Sequence, residues 1–281
     1  MAKRAVLVGV NRYLIPGADL RGCVNDVRNM QKTLVELYGF RPRDLVILLD
    51  DKATKRNIQT AVREMISASS KGDVALFHFS GHGSNVPDKD GDEADHRDEI
   101  LCPHDLDWRA PLTDDWLRAS FDKLKRGAHL TCIFDCCHSG TATRQVAPPD
   151  APVIARYLPS PWDLVAAESG RKLRGKVRGT VHRATAARRR RSDVVVADIP
   201  EVLISGCRDT QTSADAYIGN SFNGALTYNV VATLREARGN ISYRDLHARV
   251  LQRLARGKFD QVPQLEGQRA VFDQSFLAAV A

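Results

Sequence analysis

Apolar positions along the chain alternate between two rhythms. Ala5-Val6-Leu7-Val8-Gly9-Val10 is a continuous apolar run of strand length, the pattern of a parallel strand covered on both faces. Val27, Met30, Leu34 and Leu37 then recur at helical spacing, which predicts a helix over Asn25–Leu37 stopped by Gly39. Leu45–Leu49 reads as a second strand. Lys55–Ser67 reads as a second helix, with Ile58, Ala61, Val62, Met65 and Ile66 on one side. Val74–Phe79 and Leu130–Phe134 read as the third and fourth strands. Strand, helix, strand, helix, strand predicts a doubly wound α/β sheet, and right-handed crossovers set its strands parallel.

The rhythm breaks at Pro148. Pro148-Pro149-Asp150-Ala151-Pro152 is followed by Pro159, Pro161 and a basic tract punctuated by Gly170, Gly175 and Gly179. A long mobile insertion is expected there. Val202–Ser205 then reads as a strand, and Ala225–Ala237 and Tyr243–Leu254 as helices. The expected organisation is a first part over 1–147, a linker over 148–196 and a closing part over 197–281, together forming one domain.

Composition narrows the class. With 281 residues, 43% of them hydrophobic, the chain is globular and long enough for a sizeable core. The Ala5–Val10 run is too short for a secretory signal, and no segment approaches the roughly 18 apolar residues of a membrane span. A cytoplasmic protein without membrane partners is expected, its six cysteines free thiols. The net charge of +7 suggests a polyanion partner, but ten Lys/Arg and no acid fall between Arg171 and Arg191, so the remainder is mildly acidic. No aromatic residue interleaves the tract and no reading motif accompanies it, so a linker is the first reading and nucleic acid is not an expected partner.

Chemistry concentrates where the fourth strand ends. Asp135-Cys136-Cys137-His138-Ser139-Gly140 delivers an acid, two thiols and an imidazole to a sheet edge, where ligands of open α/β folds bind. His82, in Ser80-Gly81-His82-Gly83-Ser84, follows the third strand just as Cys137 follows the fourth. Parallel neighbours about 4.8 Å apart bring the two out at one edge, so the imidazole can serve as base for a Cys137 thiol. The flanking glycines suit close approach of substrate to backbone N–H groups near Gly83 and Cys137, an oxyanion hole. His78, within the strand, reads as a core histidine. His138 is the weaker base, because adjacent residues at a strand end point apart. Asp26 follows the first strand and Asp135 ends the fourth, so two carboxylates reach the same cleft and suit a guanidinium or ammonium; Asp26 also reads as a helix cap.

These residues carry a family resemblance. Ser80-Gly81-His82-Gly83-Ser84 and Asp135 to Gly140 resemble the motifs of the metacaspases, caspase-fold cysteine peptidases. Leu20 to Asp26, Ser205 to Ala216 and Gln261 to Leu265 extend the match. The resemblance implies an α/β three-layer caspase-like fold with a mainly parallel sheet of about six to eight strands and helices on both faces. It implies a His82–Cys137 dyad, with Cys137 rather than Cys136 as nucleophile, and cleavage after Arg or Lys. It places Cys23, Asp26, Ser80 and Asp135 around the substrate's basic side chain. Residues 1–147 and 197–281 then correspond to large and small subunits.

Expected partners are therefore peptides with a basic residue before the scissile bond, and the chain itself, acting as a monomer that self-processes within Arg171–Arg191. No cofactor is required for the chemistry. Many metacaspases use calcium as an activator, and by resemblance Asp98, Asp114 and Asp115 are its candidate ligands, although Thr141 to Arg144 stand where a further acid is expected. Asp88, Asp90, Asp92 and Glu99 also fall at calcium-loop positions, but Glu93 replaces the required glycine. The rival readings are a zinc site, which Cys132, Cys136, Cys137 and His138 lack the paired spacing to form, a silent caspase-like scaffold, and a nucleic-acid binder through the Arg-rich tract.

Overall fold

The structure is a computed structural model that describes residues 1–88, 96–138, 152–165, 201–208 and 211–278. Its central sheet is built from β1 (Lys3–Gly9), β2 (Leu45–Leu49), β3 (Val74–Ser80), β7 (His129–Asp135), β9 (Glu201–Ser205) and β12 (Gln264–Glu266). The order is β12-β9-β7-β3-β1-β2, parallel throughout except for β12, which runs against β9. Strands from the first and closing parts of the chain thus share one sheet.

Continuous apolar runs are required because both faces are covered. Val6 and Val8 in β1, and Phe77 and Phe79 in β3, pack on one side with α2 (Lys55–Ala68) and α3 (Asp114–Phe121). Ala5, Leu7, Val74 and Leu76 face the other way, onto α1 (Cys23–Tyr38), α4 (Ala225–Glu236) and α5 (Tyr243–Arg256). Helices on two faces of a mainly parallel sheet make a three-layer α/β architecture. Helix ends follow local chemistry: Thr54 caps α2 through its hydroxyl, and Gly39 ends α1 at φ 67°.

Two small antiparallel sheets sit outside this frame. One joins β4 (Gly83–Pro87), β5 (Arg97–Leu101) and β6 (Leu112–Thr113). The other joins β8 (Val153–Ala155), β10 (Ala214–Ile218) and β11 (Ser221–Gly224). β8 arises inside the Pro-rich stretch, where the apolar pattern offers no element. The basic tract Arg171–Arg191 lies outside the described residues.

Candidate active site

Parallel register lines up the strand ends. Gly9, Ser80 and Asp135 stand in one row across β1, β3 and β7. His82 and Cys137 each follow by two residues, and their loops touch: a Cβ on Gly83 would overlap the Cys137 carbonyl.

The imidazole of His82 is oriented from behind. Its Nε2 lies 2.8 Å from the Ala18 carbonyl, which can only accept, so Nε2 carries the proton. Its Nδ1 is then a buried lone pair without a partner. Tyr13 packs beside the ring and accepts the His82 backbone N–H. Burial lowers the imidazole's pKa to about 4, so it is neutral at pH 7.

Cys137 is fully buried, and its partners differ from the sequence expectation. Its Sγ accepts the Ser213 backbone N–H and lies 3.0 Å from Cys207 Sγ. Among the described hydrogen bonds none joins it to His82. Burial, with Cys207 next in effect, pushes the thiol well above its ordinary value. Cys136 faces elsewhere, 3.7 Å from His138 Nε2, and that ring lies 3.8 Å from Glu99. His78 is a core residue, its Nε2 3.1 Å from Thr227 Oγ1.

What stands before His82 and Cys137 is the chain's own Arg156. Its carbonyl oxygen accepts N–H bonds from both Gly83 and Cys137, each at 3.1 Å. These are the two donors expected to form an oxyanion hole. Its side chain runs into a pocket in which Arg156, Asp26, Asp135 and Asp215 are all 0% exposed. Nη2 lies 2.8 Å from Asp26 and 3.1 Å from Asp215. Nη1 meets Ser80 Oγ at 2.8 Å, the Asp135 backbone carbonyl at 3.1 Å and the Asp135 carboxylate at 3.3 Å.

Each carboxylate is also held by donors of its own. Asp26 accepts the Ser80 hydroxyl at 2.7 Å and the Gly224 N–H at 3.0 Å. Asp135 accepts the Ser213 hydroxyl at 2.7 Å and the Thr227 N–H at 2.8 Å. Asp215 accepts the N–H groups of Gly22 and Arg21, both at 2.9 Å. Asp26 is therefore no helix cap; Gly22 stands at that position. Burial pushes Asp26 up to about 7, opposed chiefly by the Arg156 guanidinium. Cys23 is buried and feels the charges of Arg156, Asp215 and Asp26. Three carboxylates buried in one pocket need a cation, and a planar guanidinium reaches all three.

Comparison with known proteins gives the family. Residues 3–145 match the family model described as Metacaspase, peptidase C14 domain. Metacaspase-1 of Yarrowia lipolytica is 37% identical over 94% of this chain, and Metacaspase-1B of Aspergillus oryzae 36% identical over 94%. The chain belongs to the metacaspase family of cysteine peptidases. It spans 61% of the Yarrowia relative and 67% of the Aspergillus one. Among solved structures, a Geobacter sulfurreducens protein matches with TM-score 0.70 and 26% identity, covering 100% of both chains. Caspase-1 from Spodoptera frugiperda matches with TM-score 0.59 and 14% identity over 94% of this chain and 86% of that one. The second likeness shows the caspase-like fold.

The metacaspase calcium candidates lie where β5 pairs with β6 and α3 begins. Asp98 lies in β5, whereas Asp114 and Asp115 open α3. Burial, then Glu99 and Asp115, push Asp114 up to about 7, and its Oδ1 is buried without a partner. Among the described residues no group of three His, Cys, Asp or Glu side chains is placed to hold a metal ion. Residues 89–95, with Asp90 and Asp92, lie outside the described residues.

Asp215 and Ser213 belong to this metacaspase's site although their functions were not legible in the sequence. Both lie in the Ser205–Ala216 block that carries the resemblance. Gln261, from the last such block, fixes Ser213 in turn: its Nε2 donates to Ser213 Oγ at 3.1 Å and to the Gly206 carbonyl at 3.0 Å.

Proposed function

We propose that this protein is an endopeptidase that cleaves after Arg, and more slowly after Lys, through Cys137 and His82. The observation that carries this reading is the Arg156 guanidinium buried against Asp26, Asp135 and Asp215 while its own carbonyl sits on the Gly83 and Cys137 N–H groups. The side chain supports the basic specificity and the carbonyl supports Gly83 and Cys137 as the reacting centre.

In this mechanism His82 Nδ1 takes the Cys137 proton as the thiolate attacks the carbonyl carbon after the basic residue. The Gly83 and Cys137 N–H groups hold the oxyanion. The imidazolium returns the proton to the leaving amine, and water then hydrolyses the thioester. No step needs a metal. Calcium enters as an activator only, and a rate that is equal with calcium and with chelator removes it. A cytoplasmic monomer completes the reading; six free cysteines suit a reducing compartment. No helix among the described residues is long and apolar enough to cross a membrane.

The test is hydrolysis of peptides ending in Arg, Lys, Asn or Asp by the unmodified protein, Cys137→Ala and Cys136→Ala, with and without calcium. Arg- and Lys-directed cleavage lost in Cys137→Ala is expected. Loss in Cys136→Ala alone reverses the assignment. Absence of cleavage in every arm favours the silent scaffold.

A further inference from the structure

Cys137 faces a second thiol that the proposed cleavage does not use. β7 and β9 run side by side and parallel, with Phe134 in register with Ser205. Cys137 comes three residues after Phe134 and Cys207 two after Ser205, so both thiols leave neighbouring strand ends. Gly206 permits the close approach: a Cβ there would lie 2.8 Å from Ser213 Oγ and 2.9 Å from the Cys136 carbonyl. The Cys137 and Cys207 sulfurs are 3.0 Å apart. A disulfide spans about 2.05 Å, so they need to close by about 1 Å.

Both thiols are held from behind. Cys137 Sγ accepts the Ser213 N–H, and Cys207 Sγ lies 3.4 Å from the Gln211 carbonyl. Gln261 ties the two segments together, donating to the Gly206 carbonyl and to the Ser213 hydroxyl. Gln211 is fixed in turn, its Oε1 accepting the Val262 N–H at 3.0 Å. Cys136 turns to His138 instead. Exposure separates the partners: Cys137 is 0% exposed, whereas Cys207 is only half-buried. A thiol that solvent reaches, with a second thiol in contact behind it, is the arrangement of an attacked and a resolving cysteine.

We propose that Cys207 and Cys137 form a peroxide-reactive dithiol, which closes to a reversible disulfide and takes the nucleophile out of use. Cys207 sulfur attacks one oxygen of hydrogen peroxide, the O–O bond breaks, and a sulfenic acid forms as the second oxygen leaves as water with the thiol proton. Cys137 sulfur then attacks the sulfenic sulfur, the S–O bond breaks, and a second water leaves with the Cys137 proton. The two thiols lose two electrons and the peroxide gains them. A thiol reductant restores both cysteines by exchange, so the disulfide is transient in a reducing compartment and spares Cys137 the irreversible sulfinic acid. The cross-link rests on the placement of the two thiols alone; its effect on peptide cleavage rests on the function proposed above.

The experiment treats the full chain with hydrogen peroxide, blocks the remaining thiols by alkylation and maps the digest without reductant. A peptide pair joined through Cys137 and Cys207 is expected, lighter by two hydrogens than its parts and separated by dithiothreitol. Hydrolysis of an Arg-ended peptide should fall by about tenfold or more as the link forms and return on reduction. Cys207→Ser should form no link. Under excess peroxide its Cys137 should gain oxygens that dithiothreitol does not remove, with activity lost for good, each rate read against that variant's own untreated rate. Cys136→Ser should form the link as the unmodified chain does. Oxidised protein without the link, or joined through Cys136 instead, overturns the inference whatever the peptidase activity. Recovery of Cys207→Ser as complete as that of the unmodified chain overturns it too. A link that forms in a chain cleaving no Arg peptide leaves the dithiol standing and removes the proposed function.

Discussion

The guanidinium of Arg156 and the carboxylate of Asp26 meet at 2.8 Å, both withheld from solvent, although 130 residues separate them in sequence. Removing one charge from such a buried pair costs about 3 kcal/mol or more. Asp26→Asn and Asp215→Asn should therefore each lower kcat/KM for Arg peptides about a hundredfold. Loss of less than about threefold would contradict a charge-reading pocket.

Arg should be preferred to Lys. The two guanidinium nitrogens of Arg156 divide their partners, Nη1 taking Ser80 and Asp135 while Nη2 takes Asp26 and Asp215. An ammonium is a point donor and cannot span both sets. Matched peptides ending in Arg and Lys should differ by about tenfold in kcat/KM, roughly 1.4 kcal/mol. Equal rates would mean the fork geometry is not used.

Gly224 forms one wall of the pocket. A Cβ there would overlap Asp135 Oδ2 and the Arg156 guanidinium, although the glycine's φ of −72° suits any residue. Gly224→Ala should fold, yet lose Arg-peptide hydrolysis at least tenfold, chiefly through a raised KM, read by initial-rate kinetics. Unchanged kinetics would move the pocket elsewhere.

His129 supplies a pH test away from the cleft. It opens β7, with Nε2 2.7 Å from the Tyr243 hydroxyl, and burial lowers its pKa to about 4. The unfolded histidine takes its proton near 6.5. The unfolded chain thus binds a proton that the fold refuses between those values, and stability is lost as pH falls from about 6.5 to 4. In a Cys137→Ala background, the unfolding free energy relative to His129→Gln should drop by about 3 kcal/mol over that window. A constant difference would show that His129 titrates alike in both states.

The central sheet was legible because strands covered on both faces must be apolar throughout. β2 coincides with the predicted Leu45–Leu49, and β1, β3 and β7 lie within two residues of their predicted bounds. The small sheets were not, since Gly83–Pro87 and Arg97–Leu101 carry no such run. His82 and Cys137 were picked out because each lies just past a strand end, and the family resemblance chose Cys137 over Cys136. Asp215 stands within the Ser205–Ala216 motif, but its role depends on Arg156, a partner no local pattern announces. The ten basic residues of the tract are conspicuous in the sequence. The arginine that the fold buries lies outside it, in three strand residues' reach of β10.

The most direct measurement of the central claim is covalent capture of the nucleophile. The peptide Val-Ile-Ala-Arg, carrying a thiol-reactive ketone at its C-terminus, should add one equivalent to Arg156→Ala protein. Digestion and mass analysis should place the label on Cys137, with labelling abolished in Cys137→Ala and slowed in His82→Ala. A label on Cys136 or Cys207 in place of Cys137 would contradict the account.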